Sequence, residues 1–505
     1  MSDNRRIAKN TMFLYFQMIL IMGVSLYTSR VVLDKLGVAD YGLYNVVGGV
    51  VGMLSFINGT LSIGTMRFVT YELGRNDEKK LTITFNTAFY THLALALLLA
   101  IFLETAGLWY VYNKMVVPEG RFNAVVIAYH ISILTSIVSI TQVPYTSLIM
   151  AHERMGIYAY ISIFEAITKL VVVYMLSIST YDRLVVYAIL IAIVQVSIAM
   201  LYRIYCRKRF IESKLQPTFD KAIFRSMMGF SGWNVLANLS ETLSLQGIVV
   251  LLNLFFAPYV VAAQAIANQV SGVMMQFVNN FRTAINPQII KLYASGDRKE
   301  SKKLTLETTI CCFDLVLMIG LPAIVVMDKL MAIWLVDVPP YTVIFTQWII
   351  FRQILGTFNA SFYIPMMAAN KMKVNSVASA LSSIGVFFML YILFKLGYGP
   401  MWIQYVGLIS ILIFSFIIKP YILYKDIDYS IKEMFYCFWS CAKVALLSIL
   451  IITPMLLLGN SLGESLLKMI IAFIAVILSS WMMMDKIIKQ KCVALMKNKI
   501  KSFRF

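Results

Sequence analysis

Charged side chains are scarce in this 505-residue chain, and acidic ones are the scarcest. Only 14% of its residues are Asp, Glu, Lys or Arg, whereas soluble domains carry about a quarter. Hydrophobic residues make up 60% of the chain, which is more apolar surface than one soluble core can bury. The composition therefore excludes an ordinary soluble domain and indicates a protein that uses lipid as its solvent.

Residues that build catalytic and metal sites are also few. The three histidines, His92, His130 and His152, have no metal-ligand spacing. The six cysteines are scattered and form no disulfide or zinc framework. We therefore predict no metal, no cofactor and no catalytic residue.

Long uncharged runs follow one another along the chain, for example 122–151, 374–394 and 396–418. Each is long enough to cross a hydrocarbon core of about 30 Å, which takes about 20 helical residues. We predict an all-α polytopic membrane protein with about 14 transmembrane helices. These are 11–33, 42–65, 82–106, 122–149, 157–178, 184–203, 229–254, 260–288, 304–327, 341–367, 374–395, 400–423, 435–458 and 463–484.

One division in this assignment decides the helix count. The stretch 242–281 has no Asp, Glu, Lys, Arg or His, and a single straight helix of that length would overshoot the bilayer. We therefore divide it at Phe256-Ala257-Pro258, where proline favours a break.

Positive charge lies mainly on one side of the predicted topology. The net charge is +19, and most of the 44 Lys and Arg residues fall on the side that carries both termini. This is the distribution of the positive-inside rule, so no nucleic-acid partner is expected. We predict a multi-pass protein of a bacterial inner membrane with both termini in the cytoplasm.

A faint internal repeat predicts two halves. YELGRNDEKKLT at 71–82 is echoed by YASGDRKESKKLT at 293–305. Six crossings return the chain to its starting side, so the halves run parallel and are related by a pseudo-two-fold axis along the membrane normal. The predicted parts are an N-lobe at 1–205 (helices 1–6), a basic cytoplasmic linker at 206–228, a C-lobe at 229–425 (helices 7–12), helices 13 and 14 at 426–484, and a basic cytoplasmic tail at 485–505.

The segment RVVLDKLGVADYGLYNVVGG at 30–49 resembles the first helical hairpin of polysaccharide flippases of the O-antigen type. The resemblance implies membership of the multidrug/oligosaccharidyl-lipid/polysaccharide (MOP) exporter superfamily, whose fold is two six-helix lobes around a central cavity, with two extra C-terminal helices in this branch. It also implies a flippase that moves an undecaprenyl-diphosphate-linked oligosaccharide by alternating access for polysaccharide or lipopolysaccharide synthesis. Membrane lipid and other polysaccharide assembly proteins are then expected partners.

Ionisable side chains within spans are costly and are therefore candidates for function. Arg30, Arg282 and Arg352 are candidates for the cavity wall, where guanidinium groups would donate bidentate hydrogen bonds to a lipid diphosphate. Asp314 is the available carboxylate partner for Arg352, or else a candidate for ion coupling.

Other polar residues within spans have two interpretations. Glu165 and Lys169 lie four residues apart on one helix face and predict either an ion-coupling site or a charge pair that needs no ligand. Amide side chains in helices 7 and 8 predict a polar cavity for sugar hydroxyls, although helix packing explains such residues as well. The amides chosen are Asn234, Asn238, Gln264 and Asn268.

Three other functions stay open from the sequence. A cation-coupled multidrug exporter of the multidrug and toxin extrusion (MATE) type generally has twelve helices and acidic residues in its cavity, whereas the spans predicted here hold more arginines than acids. A membrane glycan polymerase or ligase usually has a large outside loop, which this chain lacks. A nonspecific scramblase or a scaffold is the third. We expect a transporter and not an enzyme.

Overall fold

The computed structural model describes residues 2–52, 62, 65, 66, 68–73, 75, 77–152, 154–228, 242–369, 371–457, 459 and 461–483. Every regular element in these residues is helical, which confirms the predicted all-α class. Nine of the helices are long and apolar enough to cross a membrane. The protein is therefore a multi-pass membrane protein.

The described helices fall at the predicted places. Those of the first half are α1 (Ser2–Gly52), α2 (Glu78–Asn113), α3 (Phe122–Ala151), α4 (Met155–Ile178) and α5 (Arg183–Arg209). Those of the second half are α6 (Ile248–Phe255), α7 (Pro258–Ala294), α8 (Arg298–Val325), α9 (Met327–Trp334), α10 (Thr342–Ser361), α11 (Tyr363–Ala368), α12 (Met372–Lys395), α13 (Trp402–Ile427), α14 (Ile431–Ile452) and α15 (Leu462–Met483).

Helix α1 is two helices joined at Gly37. The backbone of Gly37 has φ 79° and ψ 165°, a conformation that glycine adopts without the clash that a Cβ would cause. With α1 counted as two, the described residues hold a helical segment at each of the fourteen predicted positions, and the prediction of about 14 spans is confirmed.

The predicted break within 242–281 is also present. Helix α6 ends at Phe255, and α7 begins at Pro258. Proline suits the first turn of a helix because the N–H that it lacks would have no partner there. Gly42 packs against this break, since a Cβ at Gly42 would overlap the carbonyl oxygen of Pro258.

The chain forms two compact units. Unit 1 comprises Met1–Ile266, Trp334–Thr342 and Ser376–Trp402, and unit 2 comprises Ala267–Ile333, Val343–Asn375 and Ile403–Phe505. Unit 1 therefore draws on both predicted lobes. The lobe boundaries and their two-fold relation stay predictions.

Within unit 1, Asn253 of α6 joins the turn that follows α2. Its amide nitrogen donates to the carbonyl oxygen of Val116, and its amide oxygen accepts from the Val116 N–H, each at 3.2 Å. The same oxygen accepts the Tyr110 hydroxyl at 3.2 Å. Asn253 is fully buried, so these contacts satisfy an amide that would otherwise be costly to bury.

Arg121, which directly precedes α3, joins its own turn to the turns that contain Asp40 and Asp182 in unit 1. Its Nε donates to Asp40 Oδ1 at 2.8 Å, its Nη2 donates to Asp40 Oδ2, and its Nη1 donates to Asp182 Oδ2. Burial raises the pKa of Asp40 in spite of Arg121. Burial also opposes ionisation of Asp182, but the hydrogen bonds from Arg121 and from two backbone amides outweigh it and lower the pKa of Asp182.

The predicted linker is docked on unit 1. The Asn86 side chain donates to the Lys214 carbonyl at 3.4 Å and accepts from the Gln216 N–H at 2.8 Å. His152 Nε2 lies 2.6 Å from Glu212 Oε1. These contacts give the linker a fixed path over the residues that the structure describes.

In unit 2, the last two helices pack on α8. Ile452 of α14 forms a buried cluster with Ala472 and Ala475 of α15, and Leu321 and Val325 of α8 pack against it. The C-terminal pair is therefore part of the core of unit 2.

Candidate functional site

A cavity of about 420 Å³ lies within unit 1 and is lined by residues of α1, α4 and α5. We name it the N-terminal cavity. Its wall carries hydroxyl and amide groups at several positions, together with one acidic and one basic residue. The hydroxyl and amide groups belong to Ser25, Thr28, Ser29, Ser162 and Gln195.

Helix α4 presents this polar face because of its residue spacing. Ser162, Glu165 and Lys169 recur at three- and four-residue intervals and therefore lie on one side of the helix. Phe164 and Ile167 lie on another side and are each 49% exposed. In a membrane helix such exposed apolar side chains suit contact with lipid, so α4 separates a lipid face from a cavity face.

Glu165 and Lys169 are paired inside the cavity. Lys169 Nζ donates to Glu165 Oε1 at 2.7 Å. Glu165 lies ten residues into α4, about 15 Å along the helix axis. The pair is therefore near the middle of the span, and the contact satisfies one charge with the other.

Two tyrosines of the cavity wall contact each other. Tyr44 and Tyr187 contact edge to face, with ring centroids 4.8 Å apart. Elsewhere α1 and α4 are joined by a contact of 3.2 Å between the hydroxyls of Tyr27 and Tyr174. Aromatic contacts of this kind fix the spacing of the helices that enclose the cavity.

The remaining candidates of the first half and of α7 are not gathered in this cavity. Arg30 is half-buried on α1 and is not one of the described residues that line it. Gln264 is buried and Asn268 is half-buried on α7, and each interacts with another group of the protein. Asn234 and Asn238 lie outside the described residues.

Arg352 is held within unit 2 by a neutral residue. Its Nη1 donates to Gln404 Oε1 at 3.3 Å. The guanidinium packs on Gly407, where a Cβ would overlap its central carbon. A guanidinium at this depth is thus accommodated by a glycine and an amide of α13.

The predicted ion pair between Asp314 and Arg352 is not formed. Asp314 faces Cys441 of α14 and Ser480 of α15, and its Oδ1 has no hydrogen-bond partner among the described residues. The C-terminal pair packs on this side of α8, whereas Arg352 points to α13. Both residues therefore remain without an ionic partner in the described structure.

Arg282 makes a hydrogen bond within its own helix and interacts electrostatically with Cys312 of α8. Its Nη2 donates to Asn279 Oδ1 at 2.7 Å, one turn earlier on α7. Its Nη1 is buried without a hydrogen-bond partner among the described residues. Unit 2 thus contains two arginines that no described carboxylate neutralises.

A buried lysine escaped the sequence analysis. Lys419 of α13 is only 3% exposed, and its ammonium lies 5.1 Å from the ring centroid of Tyr363. No carboxylate of the described chain lies within 4 Å of it. Little in the sequence set Lys419 apart, because it lies next to Pro420 and four residues from the predicted end of its span at 423, whereas α13 continues to Ile427.

The hydroxyl groups of the N-terminal cavity were also missed. Serine and threonine are common in membrane helices as packing residues, so Ser25, Thr28 and Ser29 had no pattern that set them apart. In the described part of the chain no group of three His, Cys, Asp or Glu residues is placed to hold a metal ion.

Neither a family model nor a curated protein matches the chain, but solved structures do. A structure of the lipid II flippase MurJ in an inward closed conformation is 14% identical, with a TM-score of 0.71 over 94% of this chain and 98% of its own. The chain has the fold of MOP superfamily transporters. This confirms the fold implied by the flippase resemblance.

Two further structures support the same superfamily fold. An outward-facing multidrug resistance MATE transporter of the MOP superfamily is 12% identical, with a TM-score of 0.60 over 86% of this chain and 96% of its own. A MOP superfamily transporter from Pyrococcus furiosus is 11% identical, with a TM-score of 0.58 over the same shares. The fold is thus one that transporters use.

Proposed function

We propose that the protein is a flippase for a lipid-linked oligosaccharide. The observation that carries the proposal is the wall of the N-terminal cavity. Its hydroxyl and amide groups, with the Glu165–Lys169 pair, offer both hydrogen-bond donors and acceptors at the middle of the span. Sugar hydroxyls need such partners, since polar groups cannot enter hydrocarbon without a large desolvation cost.

The same wall disfavours a lipophilic cation as substrate. A cationic drug is attracted by an unpaired carboxylate, but Glu165 already accepts a hydrogen bond from Lys169. The unneutralised charges of unit 2 include the cations Arg282 and Arg352, which favour an anionic group. This supports the flippase over the MATE-type exporter.

A lipid diphosphate is the anionic group that we propose for these arginines. Guanidinium groups bind phosphate oxygens with two parallel hydrogen bonds. Arg30, Arg282 and Arg352 are the proposed phosphate contacts, and Gln264 and Asn268 are proposed to face the glycan together with Asn234 and Asn238. The substrate proposed is an undecaprenyl-diphosphate-linked oligosaccharide for polysaccharide or lipopolysaccharide synthesis.

The likeness to solved structures supports this choice at the level of the fold. The lipid II flippase matches 94% of this chain, whereas the MATE structures match 82% to 86%. The flippase structure therefore accounts for more of the chain. We propose alternating access in a bacterial inner membrane, with both termini cytoplasmic and with other polysaccharide assembly proteins as partners.

Reconstitution tests the proposal directly. The purified protein in liposomes should move a polyprenyl-diphosphate-linked oligosaccharide to the opposite leaflet, measured by its accessibility to an impermeant glycan-cleaving enzyme. Gln195→Leu should slow this movement by about tenfold, which corresponds to the loss of one good hydrogen bond. Ile167→Val, on the lipid face of α4, is the matched control and should leave the rate unchanged.

Each alternative has its own outcome in the same liposomes. Transport of a lipophilic cation without movement of the glycan lipid would indicate a drug exporter. Equal movement of a fluorescent phospholipid and the glycan lipid would indicate a scramblase. Elongation or transfer of the glycan would indicate a polymerase or ligase.

A further inference from the structure

The N-terminal cavity holds one carboxylate and one ammonium on the same helix. Among the described residues that line it, Glu165 and Lys169 are the charged ones. Their side chains are 27% and 36% exposed, with 2.7 Å between Nζ and Oε1. Both groups therefore reach the space that a ligand would occupy while remaining in contact with each other.

A carboxylate in the middle of a membrane span has few ways to be neutralised. It takes up a proton, binds a metal cation from solution, or pairs with a basic side chain. Lys169 provides the third of these from four residues away on the same helix, an arrangement in which little additional order is needed to hold the pair. The place that a dissolved cation would take on Glu165 is thus filled by a side chain.

We propose that Lys169 is a tethered counter-ion that keeps Glu165 from binding Na⁺ or a proton, so that the N-terminal cavity takes its ligand without a coupling cation. Removing the ammonium turns the cavity into a cation site. Glu165 then offers a charged oxygen, and the hydroxyl of Ser162 and the amide of Gln195 offer neutral oxygens in the same wall. Hard cations prefer such oxygen ligands.

No second acid competes for this role in the described wall. The other titratable groups facing the pair are the phenols of Tyr44 and Tyr187, which line the cavity, and of Tyr202 on α5, which interacts electrostatically with Glu165. A response to Na⁺ or to pH that disappears with Glu165→Gln is therefore assigned to Glu165.

Cation binding to the purified full-length protein tests the proposal. Thermal stability is measured in detergent with NaCl or choline chloride at equal ionic strength, between pH 5 and pH 8. Lys169→Met should be stabilised by Na⁺ or by acidification, with a half-saturating Na⁺ concentration at least about tenfold below that of the wild type. The double variant Glu165→Gln/Lys169→Met should lose both responses, and Lys169→Arg, which keeps the charge, should behave as the wild type.

Two results would overturn the proposal. One is a Lys169→Met protein that responds to neither Na⁺ nor protons beyond the double variant. The other is a wild-type response to Na⁺ that Glu165→Gln removes, since Glu165 would then already bind a dissolved cation. The second comparison needs no Lys169 variant, so it decides the matter even where Lys169→Met does not fold.

This inference concerns the cavity on which the proposed function rests, but the two fail separately. Cation binding is measured without any glycan lipid. If the protein moves the glycan lipid and also binds Na⁺ through Glu165, the proposed function stands and the proposal that Lys169 is a tethered counter-ion is wrong. If Lys169 proves to be a tethered counter-ion but the protein does not move the glycan lipid, only the proposed function is wrong.

Discussion

The role of a charged residue in this molecule depends on whether an oppositely charged group lies beside it. Arg121 bridges Asp40 and Asp182 between three turns, whereas the contacts of the Arg352 guanidinium in the described structure are with Gln404 and Gly407, which are neutral. The first arrangement stabilises the fold through paired charges. The second leaves a positive charge that a ligand phosphate would neutralise.

Arg121→Ala tests the first role. Half-buried charge pairs lie between exposed ones and fully buried ones in strength, so we expect a loss of about 2 kcal/mol in unfolding free energy. Lys114→Ala in the same connection between α2 and α3 is the control, because Lys114 is exposed and lies over Trp109 of the preceding helix. Thermal unfolding in detergent measures both, and equal stability of the two variants would contradict the bridge.

The pH dependence of this loss has a definite sign. In the wild type the pKa of Asp182 is lowered from its ordinary 3.8, so its stabilising effect is present above that value and is lost as pH falls through the folded pKa. The pKa of Asp40 is raised, so its ionisation disfavours folding as pH rises. Without Arg121 the ionised Asp40 carboxylate has no counter-charge, so its ionisation disfavours folding more strongly. The Arg121→Ala variant should therefore lose more unfolding free energy at pH 8 than at pH 5.

Contacts within one helix turn were predictable from the sequence, and distant ones were not. The spacing of Glu165 and Lys169 is enough to bring them together. The pairing of Asp314 with Arg352 was predicted only because both lie near the middle of their spans. The direction in which each side chain points depends on how α8, α13 and the C-terminal pair pack. Hydropathy carries no information on that packing.

At the scale of helices, small residues decide where neighbouring segments approach. Hydropathy located the spans, and Pro258 located the break between α6 and α7, because these signals are local in the chain. The contact of Gly42 with that break joins residues more than two hundred positions apart. Sequence periodicity does not report such a contact.

Gly42→Ala should therefore be destabilising. Its methyl group would overlap the Pro258 carbonyl, and overpacking of this kind costs about 1–3 kcal/mol. Gly48→Ala on the same helix is the matched control, since nothing lies within 4 Å of its Cβ position and alanine favours helix over glycine. Thermal unfolding of the two variants should differ in direction, and a Gly42→Ala protein as stable as Gly48→Ala would show that the close approach does not persist.

At the scale of the whole molecule, unit 1 brings together residues from both predicted lobes. Asn253 bonds the turn after α2, and the Trp334 indole donates to the Leu26 carbonyl at 2.9 Å. The two-lobe division predicted from the repeat concerns ancestry and topology, whereas a compact unit is defined by packing. The two descriptions need not share boundaries.

Asn253→Ala should release the turn after α2. It removes three hydrogen bonds and takes the Asn253 side chain away from both Val116 backbone groups, while the Tyr110 hydroxyl keeps its bond to the Val250 carbonyl. Amide hydrogen exchange over 110–117 should accelerate by about tenfold or more. Asn113→Ala is the control because the Asn113 side chain donates to the Trp109 carbonyl of its own helix, and faster exchange in both variants would contradict a specific role for Asn253.

The docked linker has a consequence for how the polypeptide can be divided. Its contacts with Asn86 and His152 belong to the first half, so a cut after Arg225 leaves them all within one fragment. A cut after Arg209 instead assigns Glu212 and Gln216 to the second fragment and converts the same contacts into an interface between two chains. Co-expressed fragments of the first kind would keep the linker contacts within one chain, and those of the second kind would have to associate before the same contacts could form.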